Sequence, residues 1–83
     1  MSDNFKSLDE LFDNISRGGE VEFTYSGKSY SITHSDRGIH FMEANKYETE
    51  KIYNNPNEVA DYFIDNKKFS EILKDITVTF RCF

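Results

Sequence analysis

Residues 20–43, EVEFTYSGKSYSITHSDRGIHFME, decide the fold of this chain. Apolar and polar side chains alternate on both sides of Ser26-Gly27, the pattern of two antiparallel strands joined by a two-residue turn. That turn sets Tyr25 opposite Lys28, Phe23 opposite Tyr30 and Val21 opposite Ile32. A second turn, Ser35-Asp36-Arg37-Gly38, sets His34 opposite Ile39 and Ile32 opposite Phe41. One sheet face then carries Val21, Phe23, Tyr25, Tyr30, Ile32, Ile39 and Phe41. The other carries Glu20, Glu22, Thr24, Ser29, Ser31, Thr33, His40 and Met42. A slip of one residue would turn the apolar set to water, so the register is strongly specified.

Upstream, Ser7-Leu8-Asp9-Glu10 reads as a capping box, and Leu8, Leu11, Phe12 and Ile15 form the apolar stripe of a helix. Gly18-Gly19 ends it. Downstream, residues 44–51 are weakly patterned and read equally as a loop or as a fourth strand running through Ile52 and Tyr53. Asn55, Pro56 and Glu58 open a second helix, with Val59, Tyr62 and Phe63 as its buried stripe. Asp65-Asn66 breaks it, and Phe69, Ile72, Leu73 and Ile76 mark a short third helix. The β-branched run 76–82 predicts a last strand paired along the first. The expected fold is α+β, an antiparallel sheet of three to five strands with helices on one face, in the order α-β-β-β-(β)-α-α-β. Its core should centre on Phe23, Ile32, Phe41, Leu11, Phe12, Phe63 and Leu73.

The chain has 83 residues, enough for one domain over 1–83 with a single core. Its 8 Phe and 5 Tyr compensate for small size, because each buries a large area. The single cysteine, Cys82, cannot form an internal disulfide and reads as a small apolar residue at a strand end, which makes a cytoplasmic location the default. No stretch has the apolar length of a membrane span, and the first residues are polar rather than signal-like. A net charge of −5 disfavours attraction to nucleic-acid backbones and anionic lipid.

Candidate chemistry is sparse. His34 and His40 fall on opposite sheet faces and cannot share a metal ion, and no zinc-like ligand spacing surrounds either. Thr33 stands across from His40 on the outer face, among Ser29 and Ser31, a composition ordinary for a solvated sheet. Stacking of nucleic-acid bases would need outward aromatics amid basic residues, but the aromatics point inward. No catalytic, cofactor-binding or metal site is therefore expected, and the protein is read as a non-enzyme. The rival from another class is a small-ligand domain with a pocket lined by Tyr25, Tyr30, Tyr62 and His34. A core of this size rarely spares such a volume.

The acidic residues remain. Glu58, Asp61 and Asp65 fall at i, i+3 and i+7 on the expected second helix, and Glu43, Glu48 and Glu50 cluster beside Tyr47 and Tyr53. These eight residues are the candidate partner-binding set, because tyrosines flanked by carboxylates suit a cationic protein surface. Element order and charge resemble the small acidic anti-CRISPR proteins of phages and other mobile elements. The likeness lies in the layout of residues 7–17, 20–43, 56–64 and 67–74 and in the acids of 43–50. The C-terminal strand departs from it, and no sequence motif matches residue by residue. The resemblance implies an inhibitor that blocks a basic site on a partner protein. A toxin-immunity protein or a small accessory domain is the alternative. A monomer or weak homodimer is expected, with no direct nucleic-acid or membrane partner.

Overall fold

A computed structural model describes residues 4–82, and all structural statements concern these residues. The meander forms with the register that its alternation dictates: β1 (Val21–Tyr25), β2 (Lys28–Ser35) and β3 (Gly38–Glu43). Phe23 faces Tyr30, Ile32 faces Phe41, and His34 faces Ile39. At the first turn Ser26 and Gly27 both take positive φ (53° and 81°), the left-handed pair that matches the twist of two right-twisted strands.

The ambiguous segment is a strand. β4 (Lys46–Tyr53) pairs antiparallel with β3, and a register shift falls between Phe41 and Glu43. The last strand also forms. Because the chain returns beside β1, the five-stranded antiparallel sheet has the order β4-β3-β2-β1-β7, with β7 at Thr77–Arg81. The architecture is thus α+β, with α1 (Leu8–Ser16) and the shorter helical segments supplying the second layer.

Helix α1 starts where expected, Ser7 Oγ accepting the Glu10 N–H at 3.2 Å. The returning carboxylate reaches the N–H of Lys6 at 2.8 Å, one residue before the cap. Gly18 (φ 83°) stops the helix. Gly19 then runs so close to the Cys82 carbonyl oxygen and Asn14 that no Cβ fits there. Asn14, 3 % exposed, seals this corner by donating from Nδ2 to Cys82 O at 3.1 Å.

The second helix departs from the sequence reading. Asn55 and Glu58 do cap it, with Glu58 Oε1 accepting the N–H groups of Asn54 (3.0 Å) and Asn55 (2.9 Å). The segment Pro56–Asp61 is a 3-10 helix, however, and it ends before Tyr62. Six residues cannot carry an i to i+7 stripe, and Asp65 lies beyond the helix. A small hairpin follows, β5 (Phe63–Ile64) and β6 (Lys67–Lys68), turned by Asp65 and Asn66 at φ 52° and 68°. The left-handed Asn66 was expected as a helix end; it serves a hairpin instead. The third helix is short, α2 (Phe69–Ile72) running into a 3-10 turn at Leu73–Asp75.

This changes the core. In strand geometry Phe63 points outward and is 65 % exposed, while Tyr62 and Ile64 are buried. Phe12 is only partly buried at the core's edge. Phe69 takes the central place instead, its ring 5.2 Å from Phe23 and 5.0 Å edge-on to Phe41. Cys82 is free and exposed rather than a packed apolar residue. No helix among the described residues is long and apolar enough to cross a membrane.

Candidate binding cleft

The inner face of the sheet is not wholly covered by the helical layer. Between the ends of β2, β3 and β4 on one side and residues 61–65 on the other lies an open cleft of about 350 Å³. It is a volume at the lower end of ordinary ligand sites, and larger than a core of this size was expected to leave.

Its floor is tyrosine. The Tyr62 ring stacks on Phe41 at 3.9 Å between centroids and 5° between planes, and its hydroxyl donates to Thr49 O at 2.8 Å. Tyr30 stacks on Phe23 at 5.2 Å and is 95 % withdrawn from solvent. Its hydroxyl is not a sealed orphan: it opens to the cleft and forms no hydrogen bond to another described residue. Tyr53 completes the aromatic lining, and the exposed Phe63 forms a rim.

Around these rings stand Glu43, Glu48, Asp61 and Asp65, with Lys28 and Lys51. The acids outnumber the lysines, and their ion pairs are loose. Lys28 Nζ lies 3.6 Å from Asp65, Lys46 Nζ 3.9 Å from Glu43, and Lys68 Nζ 3.7 Å from Asp61. The Lys28–Asp65 and Lys68–Asp61 pairs, long and between solvated side chains, contribute little; Glu43 is the more buried acid, at 16 % exposed. The phenols register the local field. Burial first, then the charges of Glu43 and Asp65, push the Tyr30 hydroxyl up to about 12. Burial raises Tyr53, with Tyr62 and Asp61 adding to it. Burial also raises Tyr62, against the opposing effect of its bond to Thr49. Phenols amid carboxylates are a chemistry suited to a cation with hydrogen-bond donors.

The eight expected partner-binding residues divide. Glu43, Glu48, Tyr53, Asp61 and Asp65 meet at the cleft, whereas Tyr47, Glu50 and Glu58 do not line it. Glu58 is occupied as a helix cap. Tyr47 is 78 % exposed elsewhere on β4. Glu48 and Glu50, two apart, should share a face in a regular strand. The irregular start of β4, where Thr49 Oγ1 donates to Lys46 O at 2.7 Å and accepts the Glu43 N–H at 2.9 Å, separates them. Of the rival pocket's residues Tyr30 and Tyr62 line the cleft, and Tyr25 and His34 do not. His34 Nε2 instead bonds Gly19 O at 2.8 Å.

Glu50 belongs to the outer face. Its Oε2 lies 3.0 Å from His40 Nδ1, and His40 Nε2 lies 2.5 Å from Ser35 Oγ. The Arg37 N–H donates to the same Ser35 oxygen at 3.1 Å. Ser35 and Glu50 are diagonal neighbours of His40 on adjacent strands, which is why directly opposed pairing pointed to Thr33 instead. The three have the bonding order of nucleophile, base and orienting group. They lie on the outer sheet face beside the β2–β3 turn, outside the cleft, and their hydrogen bonds link that hairpin to β4. Among the described residues no three of His, Cys, Asp and Glu are grouped to hold a metal ion.

Comparison with protein-family models, with curated proteins and with solved structures gives no match.

Proposed function

We propose that the chain is a non-enzymatic binding protein whose acidic, tyrosine-floored cleft engages a basic site on a partner protein and blocks it. The convergence of Glu43, Glu48, Asp61 and Asp65 on one cleft beside the exposed Phe63 supports this reading above all. An apolar rim gives contact area, while the carboxylates steer a basic partner and set its register. The net charge of −5 acts in the same sense at longer range. Within that class, the resemblance in layout to acidic anti-CRISPR proteins favours an anti-defence inhibitor, cytoplasmic and free of cofactors.

The test begins with affinity capture from the native cell, followed by association kinetics with the retained protein. Association should slow several-fold between low and physiological salt, with dissociation changing less. Charge reversal at Glu48, Asp61 or Asp65 should weaken binding, while reversal at Glu58 acts only through helix capping. Salt-independent association, unaffected by all three cleft reversals, would remove the acidic-cleft reading.

A further inference from the structure

We infer that the cleft receives an arginine side chain of the partner, its guanidinium lying between Glu43 and Asp65 and donating to the Tyr30 hydroxyl oxygen. This rests on the cleft being the partner-binding surface and names the chemistry that fills it.

Tyr30 carries the inference. Its residue is 5 % exposed, it lines the cleft, and its hydroxyl makes no hydrogen bond among the described residues. No buried side-chain polar atom among the described residues lacks a partner, so the ring of Tyr30 is packed away while its hydroxyl opens to the cleft; the Tyr62 hydroxyl, by contrast, is taken up by Thr49 O. Burial first, and then the carboxylates of Glu43 and Asp65, disfavour ionisation of the Tyr30 hydroxyl. The hydroxyl therefore stays protonated, with its lone pairs free to accept. What satisfies one phenol oxygen and two flanking carboxylates together is a cation with several N–H donors.

Arginine fits better than lysine. The acceptors come from three elements: Tyr30 from β2, Glu43 from the end of β3, and Asp65 from the β5–β6 turn. A planar guanidinium presents five donors in a fixed fork and lies flat against tyrosine rings. A lysine ammonium is compact and strongly hydrated, and gives up water reluctantly in a half-closed site. The lysines now nearest the two carboxylates are about half exposed, at 3.6 Å and 3.9 Å. Both can swing to solvent; Asp65 is then left half exposed, whereas the Glu43 carboxylate, 16 % exposed, is left wanting a cation.

The probe is a short, end-blocked Gly/Ser peptide carrying one arginine, beside its lysine and citrulline counterparts, titrated into the protein at low salt and followed by NMR. The arginine peptide should move resonances of Tyr30, Glu43 and Asp65. The lysine peptide should bind more weakly at the same place, and the uncharged citrulline peptide not at all. Tyr30→Phe keeps the ring that stacks on Phe23 and deletes only the acceptor. It should weaken the arginine peptide about five-fold, the order of one hydrogen bond, with the melting temperature held. Glu43→Gln, which removes one flanking charge, should weaken it further. Arginine binding that depends on Glu48 and Asp61 but ignores Tyr30→Phe would overturn insertion while leaving the acidic-cleft reading in place. Failure of both cationic peptides to bind, together with salt-independent association of the captured partner, would overturn both. Equal binding of the citrulline peptide would overturn the cationic occupant alone.

Discussion

Two turns in this protein share one shape and have different uses. Ser26-Gly27 and Asp65-Asn66 both place two consecutive residues at positive φ between antiparallel strands. The first is flanked by β1 and β2, whose apolar residues repeat the register at every second position. The second is flanked by two-residue strands and aims a carboxylate into the cleft. Lys28 and Asp65, 3.6 Å apart, link the two. One turn fixes a framework that the whole sheet depends on, and the other places a carboxylate at the rim of the cleft proposed to bind a partner. Substitutions in the framework should therefore cost the most stability, and those at the second turn less.

The largest expected effect tests the framework. Phe23 is fully buried against Tyr30, Phe41 and Phe69, so Phe23→Ala should cost about 3–5 kcal/mol in chemical denaturation. A melting temperature within a few degrees of wild type would break the distinction between the regions.

Next comes the second turn itself. Asn66→Ala places a Cβ-bearing residue without a local hydrogen-bonding group at φ 68°, and should cost about 1–2 kcal/mol. Asn66→Gly should restore the loss. If Asn66→Ala were silent in stability yet weakened partner binding, the hairpin would be shown to move independently of the sheet.

A smaller effect is expected where the two regions meet. Tyr62→Phe removes the hydroxyl that donates to Thr49 O and should cost about 0.5–1.5 kcal/mol by thermal melting. The ring stacked on Phe41 remains, so a larger loss would mean that this bond positions β4 as well as Tyr62.

Smallest near neutral pH is Tyr30→Phe, because the deleted hydroxyl has no partner to lose; a change below about 0.5 kcal/mol is expected. Alkali should separate it from wild type. The folded phenol titrates at about 12 against an ordinary 10.0, so its contribution is complete below 10.0. It is lost as pH rises toward 12, where the unfolded chain releases its proton first. Denaturation profiles should show wild type losing more stability across that window than the variant. Parallel profiles would mean that neither burial nor the flanking carboxylates raise the Tyr30 hydroxyl.

The same contrast explains what was legible in the sequence. The meander and the pairing of 77–81 with β1 could be read because long alternating runs leave one register that buries Val21, Phe23, Ile32 and Phe41 together. The hairpin at 63–68 could not. Two residues per strand show no period, and Val59, Tyr62 and Phe63 match a helical stripe as well as they match a short helix followed by a strand. The carboxylates of the cleft were picked out by charge and neighbouring tyrosines, but on a false geometry: Asp61 and Asp65 meet through a hairpin, not along a helix. Glu50 was misplaced because the irregularity at the start of β4 arises from backbone contacts of Thr49 that no periodicity encodes. The cleft itself left a weaker trace. Phe63, expected at the centre of the core, lines the rim of the cleft instead.

The place of β7 in the sheet bears on how the chain reaches its fold. The three turns of β1–β4 join neighbours in sequence, and such contacts close quickly. The β1–β7 ladder joins Phe23 to Val78 and Val21 to Arg81, so its partners must find each other across most of the chain. The Asn14–Cys82 and Asn4–Val78 hydrogen bonds wait on the same encounter. During synthesis the meander can assemble while β1 still has an open edge, and that edge stays available to wrong partners until residues 77–82 arrive.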